Sequence, residues 1–450
     1  MVSPLGVMLI DSRRKMDQND EFTETTMADV TFLHCSDIHL GKTYSDSPGA
    51  AERYEDFFGA LSSIVDRAVE EGVDAVLIAG DLFHQAQVMP RTFARTVETL
   101  APLQRAGIPA IAIEGNHDWI HRRESLSWME ALSDMGYLCL LRPERDEKGN
   151  YRFPDWDERR RRGGHMEING VHIYGVGYIG AYAGSHVPRI LEAVETEKEE
   201  NILLFHVGVR QYCGTDIGNM TIDEALPLSE RFSYVALGHG HKPYEIPKDE
   251  PFAFNPGSPE CVNFGEQKYA PKGFYRVEWR LGRKPQVTLV PTSPRPMFDE
   301  RVALDGCENL DQAQARIREH FQRLKDERSR EDRRKPVVRV KLTGEVAFRP
   351  AEMTRQRVAH LVAGIMGALH VEVQNALSFV TGGRPRDSEH WNLAEIERQV
   401  VQALWEAQSA YKQRAERYAQ LAMEIKERLL EGSTGAGELL DVIHRTLHEE

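Results

Sequence analysis

Residues 75–84 read Ala75-Val76-Leu77-Ile78-Ala79-Gly80-Asp81-Leu82-Phe83-His84, an apolar run that ends in a glycine and is followed by a carboxylate and an imidazole. Such a continuous apolar run is typical of a strand that is buried on both faces of a sheet. In α/β proteins, ligands bind beyond the carboxyl ends of these strands, which is where Asp81 and His84 lie. The stretch therefore predicts an α/β fold with reactive side chains at one edge of a sheet.

The same arrangement, a largely apolar run followed by ligand-type side chains, occurs at four other places. The runs are 31–35, 110–113, 202–205 and 234–237, and the clusters that follow them are Asp37-Ile38-His39, Gly115-Asn116-His117-Asp118, His206 and Gly238-His239-Gly240-His241. Because the carboxyl ends of parallel strands meet at one edge of a sheet, we expect these side chains to lie close together. Each cluster alone is equally compatible with a strand cap or a core hydrogen bond, but all of them in this order predict a shared site.

The residue types indicate a site for two divalent cations. Neutral imidazole and carboxylate or amide oxygen suit Mn, Fe or Zn, and the clusters contain no cysteine, which argues against a thiolate-rich zinc site. Two such cations can hold both the attacking and the leaving oxygen of a displacement at phosphorus. We assign the carboxylate that bridges them to Asp81 and expect the metal to be Mn²⁺.

These motifs resemble those of the calcineurin-like metallophosphoesterase superfamily, whose pattern is D-x-H, G-D, G-N-H-D or E, then H, then G-H-x-H. Within it, Asp81-Leu82-Phe83-His84, Asn255-Pro256-Gly257-Ser258-Pro259 and Phe264-Gly265-Glu266 are similar to the nuclease subunit (SbcD-like) of SbcCD-type double-strand-break repair complexes. The motifs cover residues 30–270 or thereabouts. The resemblance implies an α/β sandwich of two packed sheets flanked by helices, which agrees with the alternation of strand-like and helical segments.

The resemblance also implies a role for each site residue. One metal would be bound by Asp37, His39, Asp81 and His241, and the other by Asp81, Asn116, His206 and His239. His117 and His84 correspond to histidines that handle the scissile phosphate, and Asp118 to the carboxylate that orients His117. An imidazole held in one orientation can protonate the leaving alkoxide or stabilise its charge, so no protein base is needed if the metals supply the nucleophile.

Four segments are expected along the chain. They are a disordered extension at 1–27, the metallophosphoesterase nuclease domain at 28–295, a small α/β capping domain at 296–385 and C-terminal helices that bind a partner at 386–450. Helices are predicted over 53–70, 91–104, 125–133, 311–324 and 354–366, and a hairpin or excursion over the charged segment 143–165. A cap at this position, which the resemblance implies, suits a long substrate better than a small phosphoester.

Composition limits the environment and the partners. The chain has 450 residues but no run of about 18 apolar residues, so no membrane span is predicted. Five cysteines without paired spacing favour a reducing cytoplasm over a disulfide framework, and a DNA enzyme there would be associated with the nucleoid.

The formal net charge of −14 is unusual for a protein that binds DNA, and acids flank the arginine-rich runs at 159–162 and 328–335. Strong DNA binding by a partner is one explanation.

An apolar stripe marks the C-terminal segment. Apolar residues from Leu393 to Leu429 recur at steps of three and four, which predicts one long amphipathic helix, and a second stripe follows the breaker Gly432-Ser433-Thr434-Gly435. The stripe could fold back on the capping domain, or it could dock on the coiled coil of an SMC-like ATPase, as the resemblance implies. We favour docking.

Two functions are compatible with these patterns. The first is a metal-dependent DNA nuclease, acting as exonuclease and endonuclease in double-strand-break repair with an ATPase partner and, by resemblance, as a homodimer. The second is a calcineurin-like hydrolase of small nucleotide or phosphodiester substrates, which shares the metal site but gives no use to residues 296–450. The complete ligand set argues against a third reading, an inactive scaffold. The chain has no Walker A pattern, so any ATP hydrolysis belongs to a partner. We expect the nuclease.

Overall fold

The computed structural model describes residues 30–43, 49–119, 126–194, 201–214, 218–280, 282–327, 334–379, 393–406, 414–431 and 436–448. The extension predicted over 1–27 lies outside these ranges. The chain divides into two compact units, Met1–Phe379 and Val380–Glu450. None of the helices in the described ranges is long and apolar enough to cross a membrane.

The strands belong to the first unit. They are β1 (Val30–Cys35), β2 (Ala75–Ile78), β3 (Ala110–Ala112), β4 (Cys139–Leu140), β5 (Glu144–Arg145), β6 (Tyr151–Arg152), β7 (His165–Ile168), β8 (Val171–Val176), β9 (Asn201–Phe205), β10 (Tyr234–Leu237), β11 (Tyr244–Ile246), β12 (Ala253–Asn255), β13 (Gly273–Trp279), β14 (Gln286–Pro291), β15 (Met297–Ala303), β16 (Val337–Val346) and β17 (His370–Phe379).

The α-helices occur in both units. Those of the first are α1 (Ala50–Glu71), α2 (Pro90–Ala106), α3 (Trp128–Asp134), α4 (Val187–Glu192), α5 (Arg210–Cys213), α6 (Ile222–Ala225), α7 (Leu310–Glu327) and α8 (Arg355–Met366), and those of the second are α9 (Leu393–Glu406), α10 (Ala415–Glu431) and α11 (Ala436–His448). The five helices predicted for the first unit are confirmed, with ends that differ by a few residues. For α3 the reason is a capping box, in which the Ser127 side chain accepts from the Glu130 amide and starts the helix at Trp128.

Two six-stranded sheets form the centre of the first unit. The first sheet has the order β14-β13-β1-β2-β3-β4, and the second has the order β11-β12-β10-β9-β8-β7. The strands that precede the polar clusters pair in parallel within their sheets. Antiparallel strands lie at one side of the first sheet, which are β13 and β14, and at both edges of the second, which are β7 and β11. Parallel pairing therefore brings the clusters of each sheet to one end.

The two sheets pack face to face. Phe32 and Leu77 of the first sheet and Ile202 and Tyr234 of the second belong to one buried layer, in which the ring centroids of Phe32 and Tyr234 are 5.4 Å apart. Helices α1 to α3 cover the outer face of the first sheet, and α4 to α6 lie against the second. This arrangement confirms the predicted α/β sandwich of two sheets flanked by helices.

At the carboxyl ends, the two sheets approach so closely that only glycine fits. A Cβ atom at Gly238, just after β10, would lie 2.1 Å from the carbonyl oxygen of Ala79, just after β2. A Cβ atom at Gly80 would lie 2.2 Å from Nδ1 of His206. The glycines of the two motifs thus allow clusters from different sheets to share one site.

A third sheet, β15-β16-β17, is parallel and packs with α7 and α8 around its own apolar core. It corresponds to the α/β unit predicted over 296–385, and its role as a cap stays a prediction. Strands β5 and β6 pair antiparallel, which confirms the hairpin predicted within 143–165.

The second unit corrects one prediction. Instead of one helix from Leu393 to Leu429, two helices pack on each other: Trp405 contacts Tyr418 with ring centroids 5.2 Å apart, and Lys426 pairs with Glu397. These contacts require α9 and α10 to run antiparallel. The contact covers only part of the apolar stripe: Ala415 and Ala419 of α10 are buried, whereas Val400, Leu404 and Leu429 are exposed.

Candidate metal centre

Strained backbone marks several of the predicted ligands. Non-glycine residues rarely adopt positive φ, yet Asp37, His39, Asp81 and His239 have φ of 54°, 55°, 53° and 75°. Each lies within four residues of the carboxyl end of a buried strand. Such conformations persist where the surrounding structure over-determines them, which is common at functional sites.

One group of predicted ligands contains Asp37, His39 and His241, whose donor atoms lie within 4.8 Å of one another. Nδ1 of His241 donates to the Glu266 carboxylate at 2.8 Å, so its Nε2 carries the lone pair. That Nε2 lies 3.1 Å from Nε2 of His39 and 3.7 Å from Oδ1 of Asp37. Three side chains of the types that bind divalent cations therefore point at one small space.

A second group contains Asp37, Asp81 and His206, again within 4.8 Å. Nδ1 of His206 donates to the carbonyl oxygen of Ala79 at 2.7 Å, which leaves its Nε2 as an acceptor. This atom is 3.2 Å from Oδ1 of Asn116 and 3.6 Å from Oδ2 of Asp81. Acceptors converge here as well.

Two contacts extend and connect these groups. Oδ1 of Asn116 lies 2.8 Å from Nδ1 of His239, which brings His239 to the second group. Oδ2 of Asp81 lies 3.8 Å from Nε2 of His39 as well as 3.6 Å from His206. All seven predicted ligands are thus brought together, with Asp81 between the two groups.

Electrostatics favour the metal-binding form of His39 and His206, whereas the hydrogen bond to Glu266 and the charge of Asp37 outweigh burial and raise the pKa of His241. Burial lowers the pKa of His206 to about 4, and burial together with the neighbouring imidazoles lowers the pKa of His39 well below its usual value, so both rings are neutral at pH 7. Burial, followed by the charges of Asp37 and Asp118, raises the pKa of Asp81. A bound cation would reverse this effect on the carboxylates.

His84 and His117 form a stacked pair beside the first group. Their ring centroids are 5.3 Å apart with an interplanar angle of 18°, and both lie within ligand distance of His39. Nδ1 of His117 donates to the carbonyl oxygen of His84 at 2.7 Å. Burial, followed by the charge of Lys42, lowers the pKa of His84 to about 4.

The role predicted for Asp118 is wrong. Instead of orienting the His117 ring, its carboxylate accepts from the amides of Leu82, Phe83 and Gly115 at 3.2, 2.9 and 2.9 Å. Being next to His117 in the chain, Asp118 points into the opposite side of the turn and joins the loops after β2 and β3. The ring of His117 is oriented by the backbone of His84 instead.

Other residues near the centre were not singled out by sequence spacing. Lys272, buried to 1% exposure, donates to Glu266, and the ring of Tyr178 stacks on His239 at 5.8 Å. Although the motifs contain no cysteine, Cys213 lines the same cavity of about 410 Å³ as His239. These residues are far apart in the sequence, and only the fold brings them together. The one indication in the sequence was the motif Phe264-Gly265-Glu266, to which no role had been assigned.

The donor set fits divalent cations of the Mn, Fe or Zn type, because it consists of neutral imidazole, carboxylate and amide oxygen. The observation that supports this fit is that carboxylate and amide oxygens and the inward-facing Nε2 atoms of His206 and His241 converge on the same two groups. In each group an outer hydrogen bond fixes which ring nitrogen faces inward, as is usual for metal-ligating histidines.

Comparisons with known proteins give a consistent result. Residues 30–243 match the family model described as calcineurin-like phosphoesterase. The chain is 27% identical over 322 residues to the DNA double-strand break repair protein Mre11 of Saccharolobus solfataricus, an alignment that covers 70% of this chain and 76% of that protein. Identity to the protein of the same name is 30% over 240 residues in Archaeoglobus fulgidus (53% and 52% covered) and 26% over 324 residues in Sulfolobus acidocaldarius (71% and 76%).

Proposed function

Residues 30–243 form a calcineurin-like phosphoesterase domain, and on this premise we propose that the chain is a metal-dependent nuclease that hydrolyses DNA phosphodiester bonds in double-strand-break repair. The convergence of imidazole and carboxylate side chains from both sheets on Asp81 is the observation that supports it best. The names of the relatives, all DNA double-strand break repair proteins, support the choice of DNA as the substrate.

Two metal positions share one carboxylate in this proposal. Asp37, His39, Asp81 and His241 would hold one ion, and Asp81, Asn116, His206 and His239 would hold the other. When bound, two such ions activate water and neutralise the charge that develops on a phosphodiester. Mn²⁺ is the proposed ion because the donors are imidazole and oxygen.

The protein's own groups handle the leaving oxygen. Because Nδ1–H of His117 is bonded to the His84 carbonyl oxygen, its Nε2 is the ring atom left to exchange a proton with the leaving alkoxide. Stacking on His84 keeps the His117 ring in this orientation. His84 itself contributes a neutral imidazole next to the scissile phosphate.

The second unit supplies the proposed contact with a partner. Val400, Leu404, Leu429 and Leu440 are exposed by 56 to 64% on its helices, although α9 and α10 contact each other. We assign this apolar surface to the coiled coil of an SMC-like ATPase. Assembly as a homodimer and both exonuclease and endonuclease activity belong to the same proposal. So does a cytoplasmic, nucleoid-associated location, which the five free thiols support.

The test uses the purified full chain with a labelled linear duplex and with bis(p-nitrophenyl) phosphate, in Mn²⁺ and in chelator. We expect Mn²⁺-dependent shortening of the duplex that stops in chelator and is lost in Asp81→Ala. Asp146→Ala, which changes an exposed aspartate in the β5–β6 turn, is the matched control and should cleave normally. Turnover of small diesters without any cleavage of DNA would refute the proposal and favour a hydrolase of small nucleotides.

A further inference from the structure

A buried polar cluster lies directly behind His241. It consists of Ser258, Glu266 and Lys272, which we call the Glu266 cluster, and their exposed fractions are 0, 5 and 1%. Oε1 of Glu266 accepts from Nδ1 of His241 at 2.8 Å and from the amide of Asn263 at 3.0 Å. Oε2 accepts from Lys272 at 2.7 Å, from Ser258 at 3.1 Å and from the amide of Val262 at 3.0 Å. The carboxylate is therefore held in one place by donors on both oxygens.

Lys272 uses all of its donors on this cluster and on the backbone of His241. Its ammonium group donates to Oε2 of Glu266 at 2.7 Å, to Oγ of Ser258 at 2.5 Å and to the carbonyl oxygen of His241 at 3.1 Å. An ammonium group has three protons, so none is left unbonded. Lys272 thus contacts the backbone of His241 on one side and the carboxylate that binds the His241 ring on the other.

A buried ion pair is a poor way to gain stability alone, because apolar side chains of similar volume often do as well or better. The Glu266–Lys272 pair is placed where it has another consequence. It fixes both ends of His241, the ring through Nδ1 and the main chain through its carbonyl oxygen. Nε2 of His241 consequently has one direction available, toward Asp37 and His39.

The other metal position is built differently. His206, its counterpart, donates Nδ1–H to the neutral carbonyl oxygen of Ala79 rather than to a carboxylate. A carboxylate acceptor makes the ring a more basic and more firmly oriented ligand than a carbonyl does. The two positions therefore differ in the group that accepts from the histidine: a charged carboxylate for His241 and a neutral carbonyl oxygen for His206.

We infer that Glu266 is the positioning residue of His241, that Lys272 positions Glu266 in turn, and that this pair sets the affinity of the metal position formed by Asp37, His39 and His241. The inference rests on the proposed metal centre. It deepens that proposal by making one of the two positions dependent on residues that contact no metal. The chain would load its two ions with unequal affinities, and the loss of the pair would empty one position selectively.

The test is a titration of the full chain with Mn²⁺, in which electron paramagnetic resonance measures the free ion and no DNA is present. Glu266→Gln is the principal variant, because either orientation of the amide places its NH₂ group against donors. We expect the unchanged chain to bind two ions. The variant should bind one ion as before and the other with 10- to 100-fold lower affinity, the usual cost of removing an outer hydrogen-bond partner.

Glu260→Gln is the matched control, since Glu260 is a buried carboxylate of the same segment that pairs with Arg53 instead of with a predicted ligand. It should bind both ions normally. Lys272→Met keeps the carboxylate but removes its counter-charge, and it should weaken the same single position. If Glu266→Gln fails to give a native circular dichroism spectrum, Ser258→Ala is the substitute variant. It removes one neutral donor to Glu266 and should lower the Mn²⁺ affinity of the same position by a smaller factor.

Two results would overturn the inference. One is a folded Glu266→Gln variant that binds both ions with unchanged affinity, and the other is an equal loss at both positions. Failure of the proposed function is distinguishable from either, because a chain that binds two ions but leaves DNA intact still gives a readable titration.

Discussion

Replacement of Arg53 by Met should destabilise the first unit strongly. The Arg53 side chain is 1% exposed, and its Nη1 lies 3.0 Å from both Oε1 of Glu260 and Oδ2 of Asp56. Arg295 binds the same carboxylate of Asp56, and its backbone amide donates to Glu260. These contacts connect helix α1 to the segment that enters the three-stranded sheet. The network is thus buried and shared by two parts of the unit.

The expected cost follows from what the variant leaves behind. Methionine fills much of the arginine volume, so little packing is lost, but Glu260 keeps its charge at 2% exposure without its main counter-charge. Removal of one partner of a buried pair costs about 3–5 kcal/mol of unfolding free energy. Burial already raises the pKa of Glu260, and Arg53 opposes that rise. Without Arg53 the pKa rises further, so the penalty is largest at high pH and shrinks as falling pH protonates Glu260.

Urea unfolding followed by circular dichroism, at pH 8 and at pH 5.5, measures this cost. Arg53→Met should lose more stability at pH 8 than at pH 5.5 relative to the unchanged chain. The double variant Arg53→Met/Glu260→Gln should recover part of the loss, because the unpaired charge is gone. A loss below 1 kcal/mol that does not depend on pH would refute the reasoning, since it would mean that water or Arg295 already compensates Glu260.

The remaining predictions concern the metal centre and the partner surface. Asp81→Ala should lose both bound metals, whereas His241→Ala should lose mainly one; two fully occupied anomalous peaks in Asp81→Ala would contradict the shared carboxylate. His117→Ala should keep both metals and lower DNA turnover by about 10²–10⁴-fold, the range for a positioned acid, and near-normal cleavage would remove it from that role. Val400→Glu with Leu404→Glu should abolish co-purification with an SMC-like ATPase, because a carboxylate buried in an apolar interface is costly, while Mn²⁺ content stays unchanged. Retained co-purification would place the contact elsewhere.

The apolar runs of the sequence were sufficient to predict an α/β fold and to select the residues that gather at its edge, and the resemblance to a known superfamily supplied the two-sheet architecture. The reason is local: each cluster directly follows a strand, and the position of a strand end in a parallel sheet determines where the next side chain lies. Asp81 illustrates this, because an apolar run, a glycine and a carboxylate are enough to place it at the sheet edge, where the structure brings it 3.6 Å from His206 of the other sheet. Helices with strong apolar periodicity, such as α1, were predicted for the same reason.

The tertiary structure decided which side chains and helices contact each other. Asp118 follows His117 directly, but adjacent residues in a tight turn point to different sides, so its partners are the amides of another loop. The stripe after Leu393 has helical spacing throughout, and periodicity cannot reveal that its two halves pack on each other. Glu266 is 25 residues from His241 and 6 from Lys272, and no spacing rule connects them. Their contact exists because the segment after β12 folds back beneath the end of β10, which is a property of three-dimensional packing and not of any local pattern.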